Sequence, residues 1–206
     1  MQREVIFVRH AQTVANVERK YLGHLDSPVT TVGVMQEQQL CEALRNEPVV
    51  SVYGSDLPRA ANLAHRIAGY HHIKAELSAQ LREMHFGVFE GLTYEEVMMR
   101  YPKAGDAFYA DSLYVAPPAG ESALDVLCRF YLFMSLLIEN PVMHRQGVHV
   151  VVTHGGPLRL FLALTQYGDP KRHWEVKVEH GAAIRCAVSV IERVLLPFRR
   201  SGGIVK

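Results

Sequence analysis

Short runs of branched and aromatic apolar residues alternate with longer helical segments along most of the chain, and this alternation limits the available folds. The runs Val5-Ile6-Phe7-Val8 and 148–153 are typical of strands buried on both faces. Strands that alternate with helices predict a mostly parallel sheet covered by helices. The expected strands are 4–9, 49–54, 73–82, 148–153 and Ala182–Val194, and the expected helices are 31–46, 58–70, 93–100, 104–112, 122–139 and 157–167.

Local signals support several of these boundaries. Pro58 suits the first position of a helix, because its missing N–H would be unpaired there in any case. Ser122 with Asp125 three residues later resembles a capping box that opens the long helix. Asn140 stands before a proline, which disfavours helical backbone and predicts the end of that helix.

Chain length and charge restrict the kinds of partner. A chain of 206 residues can bury a sizeable core, and we expect residues 1–206 to form one domain. Lys and Arg total 22 against 21 Asp and Glu, giving a formal net charge of +1. This balance gives no general attraction to nucleic acid or to a membrane surface, so neither is an expected partner. Recognition of a charged ligand must therefore be local.

Cysteine usage and the N-terminus bear on location. Cys41, Cys128 and Cys186 are odd in number and widely spaced, which predicts buried free thiols in a reducing compartment. Residues 1–4 lead directly into the first expected strand, with no apolar stretch typical of a signal peptide or a membrane span. The expected location is the cytoplasm.

Cationic and imidazole side chains follow three of the expected strands. Arg9 and His10 end the first strand, and His154 ends the strand 148–153, followed by two glycines that let backbone N–H groups approach an anion. Arg59 lies one residue inside the helix behind the second strand. Ligands of open α/β sheets bind at the carboxyl ends of the strands, and a buried cation there needs a partner. We therefore expect a phosphate group at this edge.

Five ordered motifs resemble the histidine phosphatase superfamily, in its phosphoglycerate-mutase-like group, over roughly residues 4–190. They are Arg9-His10-Ala11-Gln12-Thr13 with Asn16; Gly23, Asp26, Pro28, Thr30 and Gly33; Ser55-Asp56-Leu57 with Arg59-Ala60; Leu81, Glu83, Phe86-Gly87 and Glu90-Gly91; and Pro118 with Gly120-Glu121-Ser122 ahead of Thr153-His154-Gly155-Gly156. An ordered set is far more specific than any one motif. The resemblance implies an α/β fold, a three-layer sandwich whose mostly parallel sheet is covered by helices on both faces.

The resemblance also implies residue roles. His10 matches the nucleophile that takes the phosphoryl group, Glu83 matches the proton donor, and His154 belongs to the cationic pocket around the nucleophile. The implied substrate-binding positions are Arg9, Asn16, Gly23, Arg59 and Gly155. No metal ligands and no cofactor are implied, and arginines beside both histidines would repel a cation.

The chemistry of such a site is coherent in itself. A neutral imidazole attacks phosphorus and forms a phosphohistidine, while two guanidiniums and a second, preferably protonated imidazole stabilise the transferred group. Glu83 must begin neutral to protonate the leaving alkoxide. The neighbouring Met84, Phe86 and Phe89 favour that form through desolvation.

Three positions and one short segment depart from the pattern of the family that the chain resembles. Ala11 replaces a commoner glycine and requires a negative φ, and Gln12 replaces a commoner glutamate with loss of charge but not of hydrogen bonding. Leu22 stands where many such phosphatases have glutamine. The segment around His180 also departs, and we interpret Glu179-His180-Gly181 as a turn.

The expected function is hydrolysis of a small phosphomonoester, with residues 93–120 forming a small helical cap over the active site. A mutase that returns the phosphoryl group to another hydroxyl, a catalytically weak phospho-ligand binding module and a protein phosphohistidine phosphatase are the alternatives. The cap supplies more aromatic than basic side chains, which favours an apolar or ring-bearing leaving group: Tyr94, Tyr101, Tyr109, Leu113 and Tyr114. A homodimer is compatible with the sequence.

Overall fold

The computed structural model describes residues 3–200, with side chains through residue 196. Its strands are β1 (Glu4–Arg9), β2 (Val49–Ser55), β3 (Ala75–Ser78), β4 (Val148–Thr153) and β5 (Ala183–Ala187). Its α-helices are α1 (Val14–Val17), α2 (Thr31–Leu44), α3 (Pro58–Tyr70), α4 (Tyr94–Arg100), α5 (Pro102–Ala110), α6 (Ala123–Glu139), α7 (Gly155–Tyr167) and α8 (Val188–Arg200). Short 3-10 turns lie at Ala79–Leu81, Gly87–Phe89, Pro141–His144 and Pro170–Glu175.

The five strands form one sheet in the order β3-β2-β4-β1-β5. All neighbouring pairs are parallel except β1 and β5, which are antiparallel. Helices pack on both faces, so the prediction of a mostly parallel, helix-covered α/β sheet is confirmed. Because β1 and β4 are parallel neighbours, their carboxyl ends meet at the same edge of the sheet.

Side chains of the central strands alternate between two cores. Val5 and Phe7 of β1 face the larger core beneath α6, α7 and α8, whereas Ile6 and Val8 face the smaller core with α2 and α3. All four side chains are buried. This is the period-2 pattern of a strand covered on both faces, and it explains why the run carries no polar residue.

The predicted helix boundaries hold where their capping chemistry is specific. Pro58 occupies the first turn of α3. Ser122 accepts the N–H of Asp125, and the Asp125 carboxylate accepts the N–H of Ser122, which closes the expected capping box at α6. Helix α6 ends at Asn140.

The prediction of a strand over Ala182–Val194 is wrong beyond Ala187. β5 pairs with β1 only as far as Glu4, where β1 itself begins, so the chain has no further strand to pair with. Val188, Ile191 and Leu195 are buried at helical spacing, and the segment continues as α8.

Smaller differences concern the ends of elements. The expected strand 73–82 is shorter, since β3 covers only Ala75–Ser78 before a 3-10 turn. Helix α7 begins at Gly155 rather than 157, and α5 begins at Pro102 rather than 104. Cys41 is buried, whereas Cys128 and Cys186 are half-buried, and all three are free thiols. Among residues 3–200, no helix is long and apolar enough to cross a bilayer.

Candidate active site

Two histidines lie side by side where β1 and β4 end. Arg9 pairs with Thr153 at the end of the parallel ladder between β1 and β4. His10 and His154 are the next residues, so they lie beside each other at the same edge of the sheet. Their ring centroids are 5.1 Å apart, close to the usual spacing of about 4.8 Å between neighbouring strands. The expected juxtaposition of the two histidines is therefore a product of sheet register.

His10 is held in one tautomer by the backbone. Its Nδ1 lies 2.7 Å from the carbonyl oxygen of Ala11, and a carbonyl can only accept, so Nδ1 carries the proton and Nε2 keeps a lone pair. The side chain is 3% exposed. Burial, followed by the charges of Arg59 and Arg9, holds the pKa of His10 well below its usual value. His10 is therefore a neutral imidazole whose Nε2 carries the free lone pair.

His154 is the N-cap residue of α7 and is fully buried. Neither ring nitrogen has a hydrogen-bond partner within residues 3–200. Burial and then the charge of Arg59 hold the pKa of His154 well below its usual value, so the expectation of a protonated second imidazole does not apply to the ligand-free site. A phosphate dianion would supply the negative charge that a protonated His154 needs.

Arg59 enters the site from the start of α3 and is held by one loop. Its Nη1 donates to the carbonyl of Leu25 at 2.9 Å, and its Nη2 donates to the carbonyls of Gly23 at 2.8 Å and Leu22 at 3.2 Å. Nε has no partner within the described residues. The guanidinium is 2% exposed and keeps an N–H for an anion.

A buried carboxylate that the sequence analysis left without a role fixes the loop around Arg59. Oε1 of Glu90 accepts the N–H groups of His24 and Phe86, and Oε2 accepts that of Leu25. A Cβ on Gly23 would lie 2.0 Å from Oε1 of Glu90, so only glycine fits there. Gly23, expected to contact phosphate, thus serves to admit Glu90 and to offer its carbonyl to Arg59.

Arg9 reaches the site from the last position of β1. Its Nη1 donates to the carbonyl of Val178 at 2.5 Å, and its Nη2 lies 2.7 Å from Nε2 of His180. Nε is buried without a described partner. A Cβ on Gly155 would lie 3.1 Å from the guanidinium carbon. Gly155, another expected phosphate contact, therefore leaves room for Arg9.

Glu83 lies at the N-terminus of α7 and interacts electrostatically with both arginines. Both of its oxygens are within 3.1 Å of the Gly156 nitrogen, and Oε1 also accepts the N–H of Met84 at 2.9 Å. A Cβ on Gly156 would lie 2.1 Å from Oε1. The carboxyl group therefore faces backbone N–H donors rather than the apolar wall expected from the neighbouring sequence. Burial lowers the pKa of Arg9 and of Arg59. The negative charge of Glu83 acts in the opposite direction and is the largest contribution that raises the pKa of each arginine.

The backbone of the acid segment is tied to α6. Arg129 donates to the carbonyls of Gln80, Arg82 and Glu83 and pairs with Glu121 at 2.8 Å. The other oxygen of Glu121 accepts the N–H of His85. Arg129 thus fixes the backbone that carries Glu83. Its position in a helix over 40 residues away gave no local sequence signal.

Asn16 lies at the start of α1, a helix that the sequence analysis did not predict. Its Oδ1 accepts the N–H of Thr13 at 3.0 Å and the hydroxyl of Thr13 at 2.9 Å. This side-chain carbonyl is committed to capping the helix. The amide NH2 of Asn16 is the part that can donate to an anion.

The departures near His10 are accommodated locally. Ala11 is buried and is not among the described residues with positive φ, so its methyl group causes no backbone strain. Oε1 of Gln12 accepts the hydroxyl of Thr30 at 2.9 Å, which keeps a hydrogen bond without the charge. The side chain of Leu22 is buried, and only its carbonyl serves the site through Arg59.

The arrangement presents several unpaired nitrogens to one small volume. Arg9, His10, Arg59, Glu83 and His154 come together. The buried nitrogens without a described partner are Nε of Arg9, Nε of Arg59 and both ring nitrogens of His154, and Nε2 of His10 adds a lone pair. Within residues 3–200, no group of three or more His, Cys, Asp or Glu side chains is placed to hold a metal ion. The site is electrostatically suited to a phosphate group.

Comparison with known proteins places the chain in a family. The sequence profile of the histidine phosphatase superfamily (branch 1) matches residues 5–194. Phosphoglycerate mutase-like protein 4 of Arabidopsis thaliana is 37% identical over 158 residues, which cover 76% of this chain and 68% of the relative. Metal-independent phosphoserine phosphatase of the same plant is 32% identical, over 79% of this chain and 69% of the relative.

A solved structure extends the comparison to the fold. The alpha-ribazole phosphatase of Shigella flexneri superposes with a TM-score of 0.81 at 27% identity, covering 88% of this chain and 89% of the other. The chain therefore belongs to branch 1 of the histidine phosphatase superfamily, as its ordered motifs predicted.

Proposed function

We propose that this protein is a metal-independent phosphatase that hydrolyses a small phosphomonoester through a phosphohistidine on His10. The observation that carries the proposal is the bond from Nδ1 of His10 to the carbonyl of Ala11. It leaves the Nε2 lone pair in a pocket where buried nitrogens of Arg9, Arg59 and His154 have no described partner. A nucleophile of fixed tautomer among preorganised donors suits phosphoryl transfer.

The first step forms the phosphoenzyme. Nε2 of His10 attacks phosphorus in line, the N–P bond forms, and the bond from phosphorus to the ester oxygen breaks. Glu83, protonated for this step, gives its proton to the leaving alkoxide, and the carboxylate that forms accepts the N–H groups of Met84 and Gly156. The positive charge on His10 is balanced by the phosphoryl oxygens, which Arg9 and Arg59 contact.

The second step restores the enzyme. Water attacks phosphorus, Glu83 accepts a proton from that water, and the N–P bond breaks to release inorganic phosphate. His10 returns to the neutral form that burial favours. Glu83 returns to its protonated form and can act as the acid of the next cycle.

Positive charge from the protein replaces a metal in this proposal. The guanidiniums of buried Arg59 and half-buried Arg9 lie beside the proposed nucleophile, and they would repel a divalent cation from the same volume. The name of one relative, metal-independent phosphoserine phosphatase, agrees with chemistry of this kind. We expect turnover to be unaffected by a chelator.

An aromatic cluster connects the cap segment to the residue that precedes the loop holding Arg59. The hydroxyl of Tyr21 lies 2.7 Å from that of Tyr109 in α5, and the Tyr94 ring packs at a tilt against Tyr109 with ring centroids 5.0 Å apart. Tyr21 is one residue before the loop that holds Arg59. Its ring also packs against Phe86, with ring centroids 4.9 Å apart. This cluster favours an apolar or ring-bearing leaving group under a cap formed by residues 93–120. Leu113, another apolar residue of the cap segment, is buried.

The test is phosphate release from a panel of phosphomonoesters, with chelator present, for the parent protein, His10→Ala and His65→Ala. His65 is an exposed histidine of α3 and serves as the matched control. We expect chelator-resistant release from the parent and the control. In His10→Ala we expect loss by a factor of at least about 10⁴, since removal of a nucleophile leaves only binding and electrostatic effects.

Other outcomes would overturn the proposal. Release that continues in folded His10→Ala would show that the nucleophile is another residue. Phosphate binding without release from any ester would favour a binding module, and transfer of the phosphoryl group to a second hydroxyl would favour a mutase. Loss of activity with chelator, restored by one metal ion, would contradict metal independence.

A further inference from the structure

We infer that His180 is a positioning residue for the phosphate site, which holds the Arg9 guanidinium through a neutral imidazole acceptor. The inference rests on the proposed function and assigns a task to a residue that the sequence analysis treated as part of a plain turn. His180 lies three residues before the start of β5, and its Nε2 is 2.7 Å from Nη2 of Arg9. Its ring centroid is 6.0 Å from that of His10.

The backbone fixes the place of the ring. The N–H of Gly181 lies 3.2 Å from the carbonyl oxygens of both Arg9 and His10, so the turn is bonded to the very end of β1. Gly181 has a φ of +73°, which suits glycine, and a Cβ there would lie 3.0 Å from the Cβ of Gln36. The turn therefore has little freedom to carry His180 away from Arg9.

Hydrogen-bond polarity determines the state of the ring. A guanidinium has donors only, so Nε2 of His180 must accept and the proton must lie on Nδ1. Burial, followed by the charge of Arg9, lowers the pKa of His180 to about 4. The charged and titratable groups around the ring are Arg9, His10 and the adjacent Glu179, and at neutral pH the ring is uncharged.

A neutral acceptor has an advantage over a carboxylate at this position. Nη1 of Arg9 donates to the carbonyl of Val178, and Nη2 donates to His180. The buried Nε–H of Arg9 is left for a ligand. A carboxylate would hold the fork equally well but would cancel the charge that attracts phosphate. An imidazole fixes the guanidinium and leaves its full charge available to the phosphoryl group.

The test compares acceptors at one position. In the parent protein, His180→Leu, His180→Gln and His180→Glu, affinity for inorganic phosphate is measured by calorimetry, and kcat and KM are measured with the best ester. Lys177→Ala, an exposed residue of the same segment, is the control. Phosphate binding needs no turnover, so failure of this inference is distinguishable from failure of the proposed function.

We expect His180→Leu to weaken phosphate binding by about tenfold or more, because a hydrogen bond to a charged group is lost. His180→Gln should stay within about threefold of the parent, since an amide oxygen can accept, and His180→Glu should bind phosphate at least as weakly as the leucine variant. Equal phosphate affinity in parent and leucine variant would overturn the inference. So would a glutamine variant as weak as the leucine variant, or a glutamate variant as tight as the glutamine variant.

A measurement on the unaltered chain keeps the inference testable if a variant fails to fold. Nitrogen-15 chemical shifts of the histidine side chains distinguish a protonated from an unprotonated ring nitrogen. We expect an unprotonated Nε2 and a protonated Nδ1 for His180 at neutral pH. A proton on Nε2 would exclude the bond from Arg9 and overturn the inference.

Discussion

The two arginines of the proposed phosphate site face the same volume but are supported in different ways. Arg59 donates to carbonyls of Leu22, Gly23 and Leu25, which belong to one short loop. Arg9 is bonded to the carbonyl of Val178 and to a side-chain imidazole. One guanidinium is thus held by backbone dipoles alone, and the other is held partly by a group that can gain a proton.

The two kinds of support should respond differently to changes in the protein and in pH. Backbone carbonyls do not titrate in water, so the Arg59 side keeps its geometry whenever its loop is intact. That loop depends on Glu90, which accepts three of the neighbouring backbone N–H groups. The Arg9 side depends on the protonation state of His180. The Arg59 side is therefore sensitive to loop stability, and the Arg9 side is sensitive to pH.

The largest expected effect comes from replacing each arginine with lysine. A lysine ammonium cannot reproduce a planar fork that contacts backbone and phosphate together. We expect Arg59→Lys to lower kcat/KM by about 10³ and Arg9→Lys by about 10², since Arg59 makes three backbone bonds and Arg9 only one. Steady-state kinetics on the best ester measure both values. Equal losses in the two folded variants would contradict the comparison.

A smaller effect is expected from Glu90→Gln. An amide offers one acceptor oxygen in place of two, so at least one of the three backbone N–H groups loses its partner and the loop beneath Arg59 loosens. We expect kcat/KM to fall by about tenfold and the free energy of unfolding to fall by about 1–3 kcal/mol. Urea unfolding and kinetics measure the two quantities.

The control for this substitution is Glu76→Gln, which changes an exposed carboxylate of β3 far from the loop. We expect that variant to match the parent in both quantities. If Glu90→Gln lowered stability without lowering activity, the loop would not be what holds Arg59 in place.

The smallest expected effect is a pH dependence of stability that arises on the Arg9 side. Burial lowers the pKa of His180 to about 4, so between its ordinary value near 6.5 and 4 the unfolded chain binds a proton that the folded chain does not. The contribution to stability is complete above about pH 6.5 and is lost as the pH falls toward 4. His10 and His154 act in the same direction.

Urea unfolding of the parent and of His180→Gln between about pH 7.5 and pH 5 isolates the share of His180. We expect the unfolding free energy of the glutamine variant to fall less steeply as the pH is lowered. Parallel pH profiles would mean that His180 contributes nothing to the acid sensitivity of the fold.

The fold was largely predictable because its signals are local. The run 148–153 and the capping box at Ser122 each specify an element within a few residues. The error in Ala182–Val194 had a nonlocal cause, since β5 ends where β1 supplies no further partner. Sequence periodicity carries no information about where a neighbouring strand begins.

The site divides in the same way. Residues at strand ends, such as His10 and His154, could be predicted because parallel strands bring their carboxyl ends together. Glu90, Arg129 and His180 act through hydrogen bonds to backbone or to another side chain distant in sequence. His180 could have been found only by knowing that β5 pairs with β1, which places the preceding turn beside Arg9.

The parallel register of β1 and β4 has a consequence for how this protein tolerates change. The gap between His10 and His154 follows from the ladder between Arg9 and Thr153 rather than from the packing of any one core side chain. Loss of a buried methyl group in either core shifts the balance between folded and unfolded molecules, but it leaves the distance across one strand pair unchanged. Many core substitutions that lower the free energy of unfolding should therefore leave turnover per folded molecule unchanged. Stability and turnover can vary independently.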